Sequence, residues 1–370
     1  SLFKTIALYL GTLFIGCMVC HGEVYRLRPS ARKLTGYYLA IAAGGAFGGL
    51  FVAGLAPLLF RDYFELPLGF FLVGLLAAAV LFVDPQSPLH HGRRVWAWSL
   101  IVPAVLGLGA GLYCGTIEKV HLPVEVTRSF YGVLKVEEYW TSDSEAHEVR
   151  LLHGTTTHGI QFPSGQNRTQ PASYYTPRSG IGRTMEAFPR STNRCVGVVG
   201  LGTGTMVAWG NAGDYFRIYE INATVQRLAR ERFSYLADSV AWTEVIPGDA
   251  RLSLEREPDQ HFDILVLDAF SSDSIPVHLL TREAFEVYLR HLKPDGVLAV
   301  HISNQYLNLE PIVRGAAEHF KLGIAVVHND DGEWELEGEA GEQAYATDWA
   351  LLTRNEAFLS LPAIAEATGA

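Results

Sequence analysis

Three acidic side chains follow three successive apolar stretches in the second half of this chain. Glu220 closes the stretch YFRIYE, Asp249 follows TEVIP, and Asp268 closes FDILVLD. Each stretch is typical of a strand in a parallel sheet, and ligands bind at the carboxyl ends of such strands. The spacing therefore predicts that the three carboxylates converge on one ligand.

A glycine-rich turn lies just ahead of the first of these strands. The segment RCVGVVGLGTGTM, residues 194–206, places Gly200, Gly202 and Gly204 after a short apolar run. Residues without a Cβ adopt unusual backbone angles and let a ligand approach the main chain. Glu220 follows at about the distance from which an acid binds the hydroxyls of a ribose. We expect a nucleoside-like ligand, and Asp249 either binds its adenine amino group or caps the next helix.

The elements that must position these residues alternate along the chain. Strands at 215–221, 243–247, 262–268 and 296–302 alternate with the segment 248–256 and with helical segments at 223–236, 277–292 and 310–320, which predicts a doubly wound parallel sheet of the Rossmann-like, methyltransferase type. Segments 130–139 and 147–162 alternate apolar and polar residues and predict a small antiparallel β-domain, with His153 and His158 in turns. The polar loop after Asp268 contains Asp273, and we expect it to close over the site.

Long apolar runs dominate the N-terminal part. Four runs, at 2–20, 37–60, 66–83 and 95–114, are each long enough to cross a hydrocarbon core of roughly 30 Å. We expect the glycine pairs at 44–45 and 48–49 to allow close helix contact. Because the first residue is Ser within an apolar run, earlier helices are expected to be missing. The predicted domains are a membrane region (1–117), a β-domain with a linker helix (118–190) and a Rossmann-like nucleoside-binding catalytic domain (191–370).

Charge and composition narrow the function classes. The formal net charge is −10 and only 18% of the residues are charged, with no dense basic cluster. Such a chain is a poor nucleic-acid binder. His153 and His158 stand five apart without cysteines nearby, so no metal site is predicted. Basic residues between spans one and two and between spans three and four predict a cytoplasmic location for those loops. Counting the spans from these cytoplasmic loops would then place the C-terminal half outside the cytoplasm.

The segment from about Val126 to Phe320 resembles the spermidine synthase (polyamine aminopropyltransferase) family. The apolar half, with CHGE at 20–23 and GGAFGGLF at 44–51, looks like the membrane-fused spermidine synthase-like proteins of bacteria. The resemblance implies a small β-domain before a methyltransferase-like Rossmann fold. It also implies binding of decarboxylated S-adenosylmethionine, attack by an amine beside the sulfonium, and release of 5′-methylthioadenosine.

The resemblance also implies roles for individual residues. Gln161 matches a glutamine that contacts the adenosyl group, Glu220 the ribose acid and Asp249 the adenine acid. Asp268 matches the general base, and Asp273 the second acid of the gate loop. The remaining positions implied are Gly200, Gly202, Thr203 and Gly204 for the nucleoside, and Tyr131, Tyr174 and Tyr175 for the substrate.

Departures from the family pattern lie at the acceptor end. Thr203 replaces the acid of the glycine loop, Tyr131 is followed by glycine instead of glutamine, and 301–304 lack an expected acid. Taking a dication out of water costs several kcal/mol per ion unless carboxylates replace its hydration. The nucleoside end therefore matches the family better than the polyamine end does.

Several functions stay open from the sequence. The main expectation is transfer of an (amino)propyl group from S-adenosylmethionine or its decarboxylated form to an amine. Alternatives are a lyase that forms homoserine lactone without a second substrate, a methyltransferase, and a non-catalytic nucleoside-binding membrane sensor. Because S-adenosylmethionine is made in the cytoplasm, we expect a multi-pass protein of the bacterial inner membrane with a cytoplasmic catalytic half, against the charge bias. A homodimer is expected by analogy.

Overall fold

The chain divides into two compact units, Ser1–Leu122 and Pro123–Ala370. The computed structural model describes residues 2–117, 123–144, 146–154, 156–189, 193–270, 275–304, 307–329 and 345–368. Each unit is built around its own kind of element, helices in the first and two β-sheets in the second.

Apolar helices form the described part of the first unit. They are α1 (Leu2–Arg26), α2 (Leu34–Leu50), α3 (Ala56–Leu59), α4 (Glu65–Val83) and α5 (Val95–Ile117), with a π-helical turn, Phe51–Leu55, joining α2 to α3. Four helical stretches are long and apolar enough to cross a membrane: Ile6–Arg26, Ala31–Leu59, Glu65–Val83 and Val95–Cys114. Large apolar side chains such as Phe14 and Phe47 are exposed on them. Water is a poor environment for so much apolar surface.

The close helix approach within this unit differs from the prediction. A Cβ placed on the glycines at 44–45 and 48–49 would meet no atom within 4 Å, whereas at Gly109 of α5 it would lie 2.7 Å from the Phe71 ring of α4. The expectation of close contact at the paired glycines is therefore wrong within the described chain. The position of a glycine relative to the neighbouring helix decides whether its missing side chain allows close packing. Composition alone does not reveal that position.

The smaller sheet of the second unit is antiparallel. Its strands follow chain order as β1 (Glu125–Ser129), β2 (Gly132–Tyr139), β3 (Glu148–His153) and β4 (Thr156–Gln161). Leu134 and Leu151 point from this sheet onto Leu228 and Phe233, which holds it against the larger sheet's helices. The prediction that both histidines lie in turns is wrong, because His153 ends β3 and His158 lies inside β4.

The larger sheet has seven strands in the order β10-β11-β9-β8-β5-β6-β7. The strands are β5 (Cys195–Val199), β6 (Tyr215–Glu220), β7 (Trp242–Pro247), β8 (Phe262–Leu267), β9 (Leu292–His301), β10 (Gly323–Asn329) and β11 (Thr347–Thr353). Strands β5 to β9 are parallel, while β11 runs antiparallel to both β9 and β10. This mixed order is the Rossmann-like methyltransferase type and confirms the predicted fold class. The antiparallel pair corrects the expectation of a wholly parallel sheet.

Helices cover the two faces of the larger sheet. They are α6 (Gly180–Ala187), α7 (Ala223–Glu231), α8 (Tyr235–Asp238), α9 (Ala250–Arg256), α10 (Arg282–His291), α11 (Glu310–Phe320), α12 (Glu356–Leu359) and α13 (Pro362–Ala365). Two helices are shorter than predicted. The helix at 223–236 breaks between α7 and α8, and α10 begins only after Thr281, whose hydroxyl accepts the Ala284 N–H as an N-cap.

Candidate functional site

The glycine turn brings the ends of two strands into contact. Gly200 follows β5 with a φ of 100°, and a Cβ there would lie 2.1 Å from the carbonyl oxygen of Asp268. Only glycine fits this position. One 3₁₀ turn, Thr205–Trp209, follows the loop instead of an α-helix. The turn therefore lacks the long helix N-terminus to which phosphate groups bind in other glycine-rich loops.

Glu220, at the end of β6, is tied to the glycine loop by its carboxylate. One oxygen accepts the N–H of Leu201 at 3.0 Å and the other accepts the N–H of Asn222 at 2.8 Å. The side chain is buried, and this burial raises its pKa despite the backbone hydrogen bonds, which lower it. The loop and the acid thus form one preorganised surface.

Asp249 serves first as a helix cap. Its Oδ1 accepts the N–H of Leu252 at 2.9 Å, and its Oδ2 lies 2.9 Å from Nε2 of His278. This is the capping role that the sequence left open. The residue nevertheless lines the cavity described below, so a cap and a ligand contact are compatible here.

Asp268 follows β8 and is held by two aromatic residues. Its Oδ2 accepts the hydroxyl proton of Tyr175, and its Oδ1 lies 2.7 Å from Nδ1 of His301. Burial opposes ionisation of this carboxyl group, but the charge and hydrogen bond of His301 and the hydrogen bond from Tyr175 outweigh it and hold the pKa of Asp268 below its ordinary value. Asp268 is thus a buried carboxylate with both oxygens engaged.

A cavity of about 280 Å³, here called the first cavity, lies between the smaller sheet and the strand ends. Its size is that of a small ligand pocket. The sequence-predicted residues that line it are Tyr131, Tyr174, Gly200, Gly202, Glu220, Asp249 and Asp268. The structure therefore brings the three acids together at one cavity.

Other sequence-predicted residues lie away from the first cavity. Gln161 is buried, with its amide bonded to Ser234 and to the carbonyl of Arg168, so it holds two loops together. Thr203 is buried against Gly159 and shares a hydrogen bond with Thr205. Gly204 packs near Leu236.

Tyr175 is a predicted residue that does not line the first cavity in the described structure. Tyr175 reaches it only through Asp268, because its hydroxyl group donates to that carboxylate. Asp273 lies outside the described residues. Among the residues that the structure does describe, no group of three His, Cys, Asp or Glu side chains could hold a metal ion.

A second cavity of about 420 Å³ adjoins the first. Tyr174, His158 and Phe270 line both. The remaining described walls come from β4, β9, β10, β11 and the segments beside them: Thr156, Thr157, His301, Ser303, Asn304, Asn329, Tyr345, Ala346, Thr347 and Asp348. Asp348 is the one carboxylate among the described lining residues, and it bonds to Nδ1 of His328 at 2.8 Å.

His301 and the aromatic stack that surrounds it were not predicted from the sequence. The imidazole lies between Tyr174 and Trp349, with ring centroids at 4.8 and 4.7 Å and interplanar angles of 23° and 14°. A signal was available, because His301 ends β9 at the same sheet edge as the three acids. Trp349 gave no such signal, since its strand pairs antiparallel with β9 and was not predicted.

The fold and site define a Rossmann-like domain whose strand ends, together with a small β-sheet, enclose a cavity of about 280 Å³. No family model matches the chain. A polyamine aminopropyltransferase of Vibrio vulnificus is 35% identical over 109 residues, which is 28% of this chain and 36% of that protein. The resemblance to spermidine synthases is thus confirmed by sequence for that segment. The chain spans about a third of this relative's length.

Solved structures were also compared with the chain. A spermidine synthase from Thermotoga maritima aligns over 63% of this chain and 72% of its own, with a TM-score of 0.44 and 14% identity. A precorrin-6y C5,15-methyltransferase from Geobacter metallireducens aligns over 47% of this chain and 90% of its own, with a TM-score of 0.35 and 15% identity.

Proposed function

We propose that the second unit binds S-adenosylmethionine or its decarboxylated form in the first cavity and releases 5′-methylthioadenosine. In the main form of this proposal, the (amino)propyl group is transferred to an amine. The observation that carries it is the convergence of Glu220, Asp249 and Asp268 on one cavity beside the glycine loop. Sequence similarity to a polyamine aminopropyltransferase supports the same reaction class.

Each part of the nucleoside has a matching group in this arrangement. The two hydroxyls of a ribose suit the carboxylate of Glu220, which is already fixed by the loop backbone. The adenine end suits the side of the cavity that carries Asp249. The sulfonium then lies toward Asp268, whose buried negative charge complements it.

The chemistry requires mainly positioning, because a neutral thioether leaves readily from a sulfonium. An amine in the second cavity would attack the carbon beside sulfur in line with the breaking C–S bond. Tyr174, His158 and Phe270 line both cavities, so the two reactants would meet beside these side chains. Holding both there replaces a bimolecular encounter by a reaction between oriented groups.

A lyase is the second candidate, and one observation favours it. Asp348 is the one carboxylate among the described residues that line the second cavity, and His328 already binds it. A dication entering there would find little compensation from those residues for its lost hydration. In the lyase reaction, the carboxylate of S-adenosylmethionine itself attacks, and the products are homoserine lactone and methylthioadenosine.

The test uses the purified full chain in detergent. It is incubated with S-adenosylmethionine or its decarboxylated form, each with and without putrescine, and methylthioadenosine is measured by chromatography. Release that depends on amine supports the transferase, and release without amine from S-adenosylmethionine indicates the lyase. Adenosylhomocysteine as product would indicate a methyltransferase. Tight nucleoside binding without any product would leave a membrane sensor.

The location follows from the substrate in this proposal. Four helices suited to crossing a membrane anchor the protein in the bacterial inner membrane, with the second unit in the cytoplasm where S-adenosylmethionine is made. Protection of that unit from protease in sealed inverted vesicles would overturn this orientation. We also propose a homodimer, to be tested by light scattering of the detergent-solubilised chain.

A further inference from the structure

We propose that His301 accepts the proton released by the attacking amine, and that Asp268 positions the imidazole instead of acting as the base itself. This inference rests on the transferase form of the proposed function. It departs from the role that the family resemblance gives to Asp268.

Asp268 is poorly arranged to remove a proton from an amine. Both of its oxygens already accept hydrogen bonds, from Tyr175 and from His301. Only 4% of its side chain is exposed, so an amine has little access to it. The same donors stabilise the charged form and lower the pKa of Asp268, although burial opposes them, which makes it a weak base.

His301 is oriented as a base by its surroundings. Because the carboxylate faces Nδ1, the neutral ring carries its proton there and presents a lone pair at Nε2. Tyr174 and Trp349 stack on the two faces of the ring, and Phe270 contacts it edge-on at 5.0 Å. These contacts leave the ring little freedom to rotate.

A short chain of hydroxyls connects Nε2 with the second cavity. Nε2 lies 3.0 Å from the hydroxyl of Ser303 and 3.1 Å from that of Thr347. The backbone N–H of Asp348 donates to the Ser303 oxygen at 2.7 Å, which leaves the Ser303 proton to bond to Nε2 or to the Thr347 oxygen 3.3 Å away. His301, Ser303 and Thr347 all line the second cavity. Ser303 can therefore pass a proton from an acceptor in this cavity to the imidazole.

The charged and titratable groups around this chain are few among the described residues. Asp268 lies after β8, and Tyr174 and Tyr175 lie before α6. On the other side, Asp348 of β11 is paired with His328 of β10. His158 of β4 also lowers the pKa of Asp268, by less than His301 does. Among the described residues, Asp268 is the one carboxylate in direct contact with His301, so it stabilises the imidazolium.

The proposed step balances in atoms and charge. The neutral amine donates its lone pair to the carbon beside sulfur, and the C–S bond electrons pass to sulfur, which leaves as a neutral thioether. The new ammonium loses one proton to the Ser303 hydroxyl while that hydroxyl gives its own proton to Nε2. The products are the alkylated amine, methylthioadenosine and an imidazolium paired with Asp268, which later releases the proton to water.

His301→Asn tests this step, because the asparagine amide can still donate to Asp268 but cannot take up a proton. We expect amine-dependent turnover of the full chain with decarboxylated S-adenosylmethionine and putrescine to fall by about 10²- to 10⁴-fold. The Kd of methylthioadenosine should change by less than about threefold. We expect kcat of the parent to rise with pH, and this rise should be absent from the residual activity. His301→Gln replaces the variant if His301→Asn does not fold.

The matched control is His291→Asn, because His291 is also fully buried and hydrogen-bonded but lies at the end of α10, outside both cavities. This variant should lower the melting temperature without changing the pH profile. Retained turnover or an unchanged pH profile in His301→Asn would overturn the proton role, with transfer itself intact. Amine-independent release by the parent would overturn it in favour of the lyase. A parent that forms no methylthioadenosine would overturn the proposed function as well.

Discussion

The two cavities of the second unit are built in different ways. The first cavity is formed largely by the ends of consecutive parallel strands, where Glu220 and the glycine loop are held by backbone hydrogen bonds. The second draws on β4, β9, β10 and β11, whose side chains bond mostly to one another. A site formed by one strand-turn-strand unit can be predicted from a sequence, whereas a site assembled from distant segments cannot. Asp268 and His301 join the two.

A large effect is expected at Asp268, which serves both cavities. Asp268→Asn removes the charge that faces a sulfonium and stabilises an imidazolium, so turnover should fall by about 10³-fold. The chromatographic assay for methylthioadenosine measures it. A fall of less than tenfold would contradict the proposal that Asp268 serves both cavities.

The same variant has an expected pH signature. Because the pKa of Asp268 is lowered in the folded protein, its ionised form stabilises the fold above its ordinary value of 3.8, and this contribution is lost as pH falls through the lower folded value. Melting temperatures of the full chain between pH 5 and 2 should therefore fall less steeply in Asp268→Asn. An equally steep fall would contradict the lowered pKa.

Glu220→Gln should affect the first cavity alone. Loss of a charged acceptor for the ribose hydroxyls should weaken methylthioadenosine binding by about 10- to 100-fold, measured by calorimetry. Burial raises the pKa of Glu220. As the pH is lowered, the affinity of the parent protein for methylthioadenosine should therefore decline at a higher pH than it would if this glutamate were exposed. Glu244→Gln, on the partly exposed edge strand, is the control and should bind normally.

Gln161→Leu separates the structural role observed here from the ligand contact implied by the family resemblance. The change leaves the Ser234 N–H and the Arg168 carbonyl without their partner, which should cost about 1–3 kcal/mol of stability. Thermal melting measures this loss, and the Kd of methylthioadenosine should stay the same. Weaker binding with unchanged melting would place Gln161 at the ligand after all.

Ser303→Ala should affect the second cavity alone. Amine-dependent turnover should fall by about tenfold, because the Thr347 hydroxyl remains 3.1 Å from Nε2 of His301 and carries part of the proton transfer. Nucleoside affinity should be unchanged, the opposite pattern to Glu220→Gln. Equal losses in binding and turnover would show that the cavities act as one site.

The smallest effect is expected at Asp249. Asparagine caps helices about as well as aspartate, so Asp249→Asn should leave the melting temperature unchanged and weaken nucleoside binding only about threefold. Asp249→Ala should cost about 1 kcal/mol of stability in the melting assay. If Asp249→Asn and Asp249→Ala both bind the nucleoside as tightly as the parent does, capping the helix is the main role of Asp249.

Much of the first cavity was predictable, and the failures have a common cause. Glu220, Asp249 and Asp268 were found because a parallel strand ends where its apolar run ends, and such ends share one sheet edge. Gln161 matched a family pattern and Thr203 stands where that pattern has an acid, yet both are buried in contacts with distant segments. Pairing across long sequence separation has no local signature.

The sequence by itself determined the apolar helices, the alternation of strands and helices, and the row of acids at one sheet edge. These follow from hydrophobic periodicity and from the direction of each strand, which are local properties. Only the tertiary structure decided that β11 inserts antiparallel beside β9, which stacks Trp349 on His301 and closes the second cavity. That outcome depends on which strands pair, and pairing is decided by packing across the whole sheet.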